Sequence, residues 1–257
     1  DLFVGGETTR DVSRPLLNQY FGAWKENRMA VPEKNIAEVA MKEGSVYLID
    51  KPGAPQSLIL AGHVAPSTRA DNNIDILTMN DVIGGSFTAR VNMNLREDKG
   101  WAYGAYTFMQ DARGQRPWLA YAPVQTDKTA DSIKELTREM DEFLSSAPAR
   151  QEELDKSVRN NVNSLPGQFE TAGAVLNALL SNDRFGRPDS YISSLKRRYE
   201  AVDLSGVHAA AQQVIHPENL IWLIVGDLEQ IEQQIRDLEL GDVQVIDENG
   251  KPIATSG

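Results

Sequence analysis

The amino-acid sequence predicts an α+β fold, in which a mainly antiparallel sheet is covered on one face by helices. Strand-like segments are concentrated between residues 44 and 124, and residues 126–215 carry apolar positions at helical spacing. One further apolar run, Leu220–Val225, follows these helices and predicts a closing strand. A doubly wound parallel fold would instead alternate strands and helices along the whole chain.

The first predicted strands are Gly44–Asp50 and Ser57–Val64. They are joined by the segment Lys51–Pro55, in which two prolines and a glycine exclude regular pairing and favour a turn. Because the connection is short, we expect the two strands to be antiparallel neighbours.

Two helices are predicted next. The first spans Asn72–Ile83, with Gly84 suited to its C-terminal end. The second is shorter and begins after Ser86, a plausible N-cap, with Gly100 just beyond its end. Its apolar residues Phe87, Val91 and Leu95 recur every four positions, which predicts a helix that includes all three.

Strands are then predicted at Trp101–Met109 and Pro117–Val124, around a turn at Asp111–Gly114. Four apolar stripes at helical spacing follow, and each predicts an amphipathic helix. The stripes are Ile133, Leu136, Met140 and Phe143; Leu154, Val158, Val162 and Leu165; Tyr191, Leu195 and Tyr199; and Leu204, Val207, Ala211 and Val214.

A strand, a glycine turn and a helix are predicted in succession at both ends of the chain. Leu2–Gly6 opens the first copy and Leu220–Gly226 the second, in which Asp227 is placed to cap the helix. A unit that closes a domain is not expected before that domain as well, unless the first copy is the end of a preceding domain. We therefore expect residues 1–28 to close a preceding domain, and residues 29–257 to form the main domain after a polar linker.

The composition excludes several classes of function. The 257 residues carry a formal net charge of −11, with 26 Lys and Arg against 37 Asp and Glu. Such an acidic chain offers no basic stripe for phosphates, so we expect no nucleic-acid partner. No apolar run approaches the ~18 residues of a membrane span, and the absence of cysteine excludes disulfides and thiolate metal sites.

The most informative segment is residues 80–106, which reads NDVIGGSFTARVNMNLREDKGWAYGAY. Its order of asparagine, aliphatic pair, Gly-Gly, Ser-Phe, Ala-Arg, Leu-Arg-Glu, glycine, aromatic residue and Ala-Tyr resembles a pattern in the M16 metallopeptidases, the pitrilysin and mitochondrial processing peptidase family. There it lies in the second domain of each half. The resemblance covers essentially the whole chain and implies the α/β roll of M16 domains, the M16/LuxS-like metallohydrolase fold.

The same resemblance implies a site at Arg96 and Tyr103. In the family, an arginine and a tyrosine at this spacing point across an enclosed chamber toward the zinc site of the other half. A guanidinium can donate two fixed hydrogen bonds to a peptide carbonyl. A phenol can add another to the oxygen that becomes negative during amide hydrolysis.

An ordinary structural explanation of these residues stays open. Arg96 could complement the helix dipole or pair with Glu97 or Asp98, while Tyr103 fills a face of the sheet. We expect Arg90, also in the motif, to be structural and to hold its helix against a carbonyl or carboxylate.

The sequence contains no metal site of the family type. M16 peptidases bind zinc through an inverted His-x-x-Glu-His helix, and this chain has no such motif. An independent metal site would need His63 to meet Asp71, Asp75 or Asp81. One histidine with scattered carboxylates is weak evidence for such a site, because zinc sites usually supply at least two nitrogen or sulfur ligands. We expect no cofactor in this chain and no catalytic residue, with zinc held by the catalytic half of a parent protease.

The sequence thus predicts a non-catalytic, substrate-binding C-terminal domain of an M16-type zinc metallopeptidase. Its expected partners are a peptide substrate and a catalytic M16 half, in the same polypeptide or in a partner subunit. The alternative is a structural or protein-docking domain, similar to the non-catalytic M16-like core subunits. Resemblance to large bacterial M16 proteases favours a periplasmic or other extracytoplasmic location.

Overall fold

The computed structural model describes residues 2–24 and 35–253 and contains a six-stranded sheet of order β3-β4-β2-β5-β1-β6. Three adjacent pairs, β3–β4, β4–β2 and β2–β5, are antiparallel, whereas β5–β1 and β1–β6 are parallel. The strands are β1 Ser45–Asp50, β2 Gln56–Ala65, β3 Tyr106–Met109, β4 Arg116–Gln125, β5 Ile221–Gly226 and β6 Asp242–Val245.

The predicted pairing of the first two strands is wrong. Strand β5 lies between β1 and β2, so that Ile224 is opposite Leu48 on one side and Ile59 on the other. β5 is apolar at almost every position, and a central position pairs its backbone on both edges while Trp222 and Ile224 are buried in the core. Strand β6 at the far edge was not predicted.

Helices cover one face of the sheet and confirm the α+β class. Their bounds are α1 Arg10–Phe21, α2 Asn73–Asn80, α3 Arg90–Asn92, α4 Thr129–Leu144, α5 Gln151–Gln168, α6 Ala172–Phe185, α7 Tyr191–Glu200, α8 Leu204–Val214 and α9 Leu228–Arg236. In the described residues, no helix is both long and apolar enough to cross a membrane.

The core lies between the sheet and the helices. Alternate strand residues such as Leu48, Ile59 and Trp222 point into it and are almost fully buried. The predicted stripe of α4 meets them, since Ile133, Leu136, Met140 and Phe143 are each at most 2% exposed. Hydrophobic burial on one side of the sheet therefore fixes the face that the helices occupy.

The opposite face of the sheet carries apolar side chains that no helix within residues 2–24 and 35–253 covers. It includes Leu60 on β2, Leu119 and Tyr121 on β4, and Leu223 on β5, all partly exposed. We call this surface the open face. Residues 39–42 pass beside one end of it, where the backbone N–H of Val39 donates to the side chain of Gln115 at 2.7 Å.

Near the N-terminus, the predicted helix is present and the predicted strand is not. Residues 2–6 form no strand, and the backbone of Gly5 lies against the start of α6. Helix α1 begins after Thr9, whose hydroxyl accepts a hydrogen bond from the Val12 N–H. None of its residues is buried, and Tyr20 is 70% exposed. The expected boundary at residue 28 and the linker up to Lys34 lie outside the described residues.

At the second copy of the unit, Asp227 occupies the N-cap position of α9, but its carboxylate does not cap the helix. It accepts hydrogen bonds from the Gly53 N–H and from Gln230. The first helical N–H, that of Leu228, instead donates to Asp50 at 3.1 Å. The cap is supplied across the sheet, from the end of the parallel neighbour β1.

Candidate substrate-binding site

The segment 80–106 forms two helical turns and the loop that leads into β3. Helix α2 continues as a π-helical turn over Asp81–Gly85, and α3 continues likewise over Met93–Asp98. The second helix begins after Ala89, not after Ser86, which leaves Phe87 in the connecting loop with 55% of its surface exposed. The prediction that this helix includes Phe87 is therefore wrong, whereas Val91 and Leu95 lie in the helical turns as expected and are buried.

Two buried asparagines hold this segment in place. Asn80 accepts hydrogen bonds from Thr107 Oγ1 at 2.8 Å and Trp118 Nε1 at 2.9 Å, and donates to the Thr107 carbonyl at 3.0 Å. Asn92 accepts from the Ala105 N–H at 3.0 Å and donates to the Phe87 carbonyl at 2.6 Å.

Sequence reasoning assigned neither asparagine a role. The sequence does indicate that Asn80 is buried, because it falls four residues after the buried Ile76 and therefore lies on the core side of its helix. A polar residue in that position needs internal partners. These hydrogen bonds fix the start of β3 against both helical turns.

Glycines allow two backbone segments to approach closely here. A Cβ on Gly84 would lie 2.4–2.7 Å from the backbone nitrogen and side chain of Thr107, so the π-helical turn can pack on β3 because position 84 lacks a side chain. A Cβ on Gly104 would lie 2.8 Å from the ring of Tyr106. The predicted turn at Gly84 is present, but close packing also requires this glycine.

Arg90 is structural, as predicted. Its Nε and Nη2 donate to the two carboxylate oxygens of Glu153 at 2.8 and 2.7 Å, and its guanidinium also reaches the carbonyls of Ala147 and Pro148. Burial alone would raise the pKa of Glu153, but the hydrogen bonds from Arg90 and Arg150 outweigh burial and lower this pKa to about 2. The pair joins α3 to the beginning of α5.

Asp81 ties the π-helical turn to α5 in a similar way. Its carboxylate accepts hydrogen bonds from Ser157 at 2.9 Å and Asn161 at 2.6 Å. Burial raises the pKa of Asp81, and the two hydrogen bonds only partly counteract that effect. It lines a cleft of about 510 Å³ together with Arg90 and Lys156.

Arg96 has few internal partners. Its guanidinium carbon lies 4.5 Å from the centre of the Phe87 ring, a stacked cation–π contact. Its Nε is 3.5 Å from Glu97, which is 46% exposed, and the Arg96 side chain itself is 35% exposed. Among the described residues, this loose pair is its one ionic contact, and the guanidinium donates no hydrogen bond.

Tyr103 is predicted on a strand but lies in a bend three residues before β3, with 84% of its surface exposed. The N–H groups of Trp101 and Ala102 both donate to the Leu95 carbonyl, which folds this loop back against the helix end that carries Arg96. Tyr106, Phe108 and Tyr121 follow on β3 and β4, each 37% exposed. The open face therefore continues as an aromatic surface toward the loop of Tyr103.

The histidines do not form a metal site. His63 Nδ1 lies 3.1 Å from the Val64 carbonyl, its Nε2 accepts from the His216 N–H at 3.3 Å, and its ring stacks on Trp118. Burial is the main reason that the pKa of His63 is lowered. Across residues 2–24 and 35–253, no three His, Asp or Glu side chains are grouped to hold a metal ion. These residues therefore do not fit a zinc ion.

Comparison with known proteins agrees with this architecture. Residues 1–161, well over half of the chain, match the family described as the peptidase M16 inactive domain. The chain belongs to this family, and it is therefore a non-catalytic domain of zinc-protease-like proteins.

One relative is a Bacillus subtilis (strain 168) protein that bears the name uncharacterized zinc protease YmxG. It is 23% identical over 153 residues, or 58% of this chain and 36% of that protein. The peptidase M16 inactive domain from Pseudomonas fluorescens has a similar structure, with a TM-score of 0.75 and 18% identity over 86% of this chain and 52% of that one.

A third similar structure is the periplasmic protease PqqL from Escherichia coli, with a TM-score of 0.66 and 15% identity over 86% of this chain and 24% of PqqL. At these identities, the similarity of the two solved structures shows the fold alone. The chain spans about a third of the length of YmxG and a quarter to a half of the length of the two solved structures.

Proposed function

We propose that this chain is the substrate-binding C-terminal domain of an M16-type zinc metallopeptidase. Arg96 and Tyr103 help to hold a peptide in a chamber that a catalytic half completes. That half belongs to the same polypeptide or to a partner subunit, and zinc is bound there. In this proposal the present chain performs no hydrolytic step of its own.

The observation that carries the proposal is a contrast within one motif. Asn80, Asn92 and Arg90 use their polar groups in internal hydrogen bonds, whereas Arg96 and Tyr103 remain accessible. An arginine and a tyrosine with a purely structural role would gain stability from buried partners. Two accessible donors on a firmly anchored loop are better suited to an external ligand.

The chemistry of the two side chains suits a peptide. Stacking on Phe87 restricts the Arg96 guanidinium and leaves its terminal N–H groups free to donate to a carbonyl or carboxylate. The hydroxyl of Tyr103 can donate one further hydrogen bond. The apolar open face beside the loop would take the side chains of an extended segment.

Substitutions in the full-length protease test this function. Arg96→Ala and Tyr103→Phe should each lower kcat/KM for a peptide substrate about 10-fold. A loss of this size corresponds to one or two hydrogen bonds to a group that is charged or becomes charged in the reaction. Arg159→Ala and Tyr20→Phe remove the same groups from exposed positions on α5 and α1 and should leave turnover unchanged. Unchanged kcat/KM in both test variants, with normal unfolding midpoints, would exclude the substrate role.

The alternative is a structural or protein-docking domain, and the uncovered apolar open face favours it. A surface of this kind commonly marks an interface. In that case, Leu60→Glu on β2 should abolish association with the partner half, while Arg96→Ala has no effect on turnover. Sedimentation of the assembled protein together with the peptide assay separates the two functions.

The proposal also favours an extracytoplasmic site of action. It rests on the similarity in fold to a protease named as periplasmic. Fractionation of cells that express the full-length protein tests it, and recovery with cytoplasmic markers would contradict it.

A further inference from the structure

A second cleft, far from the motif in sequence, lies where the loop before α2 meets the connection between α6 and α7. Its volume is about 240 Å³. Three arginines line it, Arg69 from the first loop, Arg187 from the connection and Arg198 from α7. We call this cleft the arginine pocket.

The charge in the arginine pocket is not balanced. Asp71 is the one carboxylate among its lining residues. Within the described part of the chain, none of the three arginines has a carboxylate within 4.0 Å, whereas Arg90, Arg96, Arg116, Arg138, Arg150 and Arg236 all do. Several exposed arginines elsewhere in the described residues also lack such a partner, and the three differ from them in lining one cleft together. In a protein with a net charge of −11, uncompensated arginines gathered at one cleft indicate a site for a negative ligand.

Two of these guanidiniums are held by one aromatic ring. The guanidinium carbon of Arg187 lies 4.3 Å from the centre of the Tyr191 ring, and that of Arg198 lies 5.1 Å from the same centre. Ser194 accepts a hydrogen bond from Arg198 Nε at 2.9 Å. Two like charges held beside one ring repel each other, and an anion bound by both would relieve that repulsion.

A buried donor completes the pocket. Asn73 lines it and is 5% exposed. Its Oδ1 accepts a hydrogen bond from Arg116 at 2.5 Å, but its Nδ2 has no partner among the described residues. An unpaired buried amide is costly, so an acceptor that reached this N–H₂ group from the pocket would be favoured.

The geometry points to a binding site for a small oxyanion in the arginine pocket. The ligand bears a phosphate or carboxylate group, the two chemistries that guanidinium groups bind with paired hydrogen bonds. Arg187 and Arg198 contact its oxygens from the side of Tyr191, Arg69 from the opposite loop, and Asn73 donates from the floor of the cleft. This site is separate from Arg96 and Tyr103 and does not depend on the function proposed for them.

Calorimetric titration of the full-length protein with inorganic phosphate, and separately with succinate, tests the site at constant ionic strength. We expect saturable binding of one ion per chain, and the tighter of the two ligands identifies the chemical class. Arg198→Gln should weaken binding about 10-fold, because it removes charge-assisted hydrogen bonds. Arg197→Gln, on the same helix but outside the pocket, is the matched control and should bind normally.

A second variant distinguishes loss of anion binding from loss of folding. Asn73→Asp keeps the oxygen that Arg116 needs and replaces the free donor by a carboxylate, so it should abolish anion binding while the unfolding midpoint is retained. Absence of saturable binding of either anion by the wild type would overturn the proposal. Equal weakening by Arg197→Gln and Arg198→Gln would also overturn it, because binding would then be diffuse attraction to the surface.

Discussion

The ion pair between Arg90 and Glu153 allows a quantitative prediction about stability. Glu153→Gln keeps the shape of the side chain and some of its hydrogen bonds but removes the charge. A pKa of about 2 in place of the ordinary 4.5 corresponds to at most about 3–4 kcal/mol. Because the Glu153 side chain is 18% exposed, water weakens the interaction, and we expect a loss of about 2 kcal/mol near neutral pH.

The dependence on pH has a definite sign. The folded state lowers the pKa of Glu153, so the stabilisation is fully present above about 4.5, the value in the unfolded chain, and is lost as the pH falls toward about 2. The difference in unfolding free energy between wild type and Glu153→Gln should therefore shrink as the solution is acidified.

Urea denaturation followed by circular dichroism, at about pH 7 and at about pH 3, measures both effects. Glu152→Gln is the matched control, because the neighbouring Glu152 is exposed and forms no ion pair in the described residues. The reasoning is refuted if Glu153→Gln is as stable as the wild type at neutral pH, or if its deficit is unchanged in acid.

Three further predictions concern the same region and the N-terminus. Gly84→Ala should destabilise the fold by about 1–3 kcal/mol, because the new methyl group would overlap Thr107. The prediction is contradicted if Gly84→Ala lowers the urea midpoint no more than a Gly→Ala substitution at an exposed position does. Asp81→Asn should gain stability relative to the wild type as the pH rises. The pKa of Asp81 is raised in the folded state, so the protonated carboxyl contributes to the unfolding free energy below about 3.9, and this contribution is lost as the pH rises through the pKa of the folded protein. Parallel pH profiles of the unfolding free energy for the two proteins would rule this out. Limited proteolysis should remove residues 1–28 and leave the remainder resistant, because α1 has no buried residue; protection through Lys34 would instead indicate one integrated domain.

Hydrophobic spacing predicted the elements well wherever burial depends on neighbours in the chain. The stripe of α4 is buried at every predicted position, and Val207, Ala211 and Val214 of the predicted α8 stripe are also buried. The predicted strands β1, β2 and β4 match the structure to within two residues at each end. At the candidate site, the structural role of Arg90 is confirmed, whereas the substrate-binding role of Arg96 and Tyr103 stays a prediction.

Other features depended on contacts between distant parts of the chain. The buried partners of Asn80 are Thr107 and Trp118, and neither lies close enough in sequence for a periodic pattern to reveal the network. Phe87 has the spacing of a helical residue, but the helix starts three residues later and leaves it exposed. The arginine pocket likewise joins residue 69 to residues 187 and 198, which no local pattern connects.

The sequence by itself determined the class of fold, the positions of most helices and strands, and membership of the family, because these follow from local patterns of apolar, turn-forming and motif residues. The tertiary structure alone decided that β5 lies between β1 and β2, that one face of the sheet remains open, and that Arg96 and Tyr103 stay accessible while Asn80 and Asn92 of the same motif are buried. The physical reason is that strand pairing and side-chain burial are set by competition among all parts of the chain, and local spacing does not contain that information.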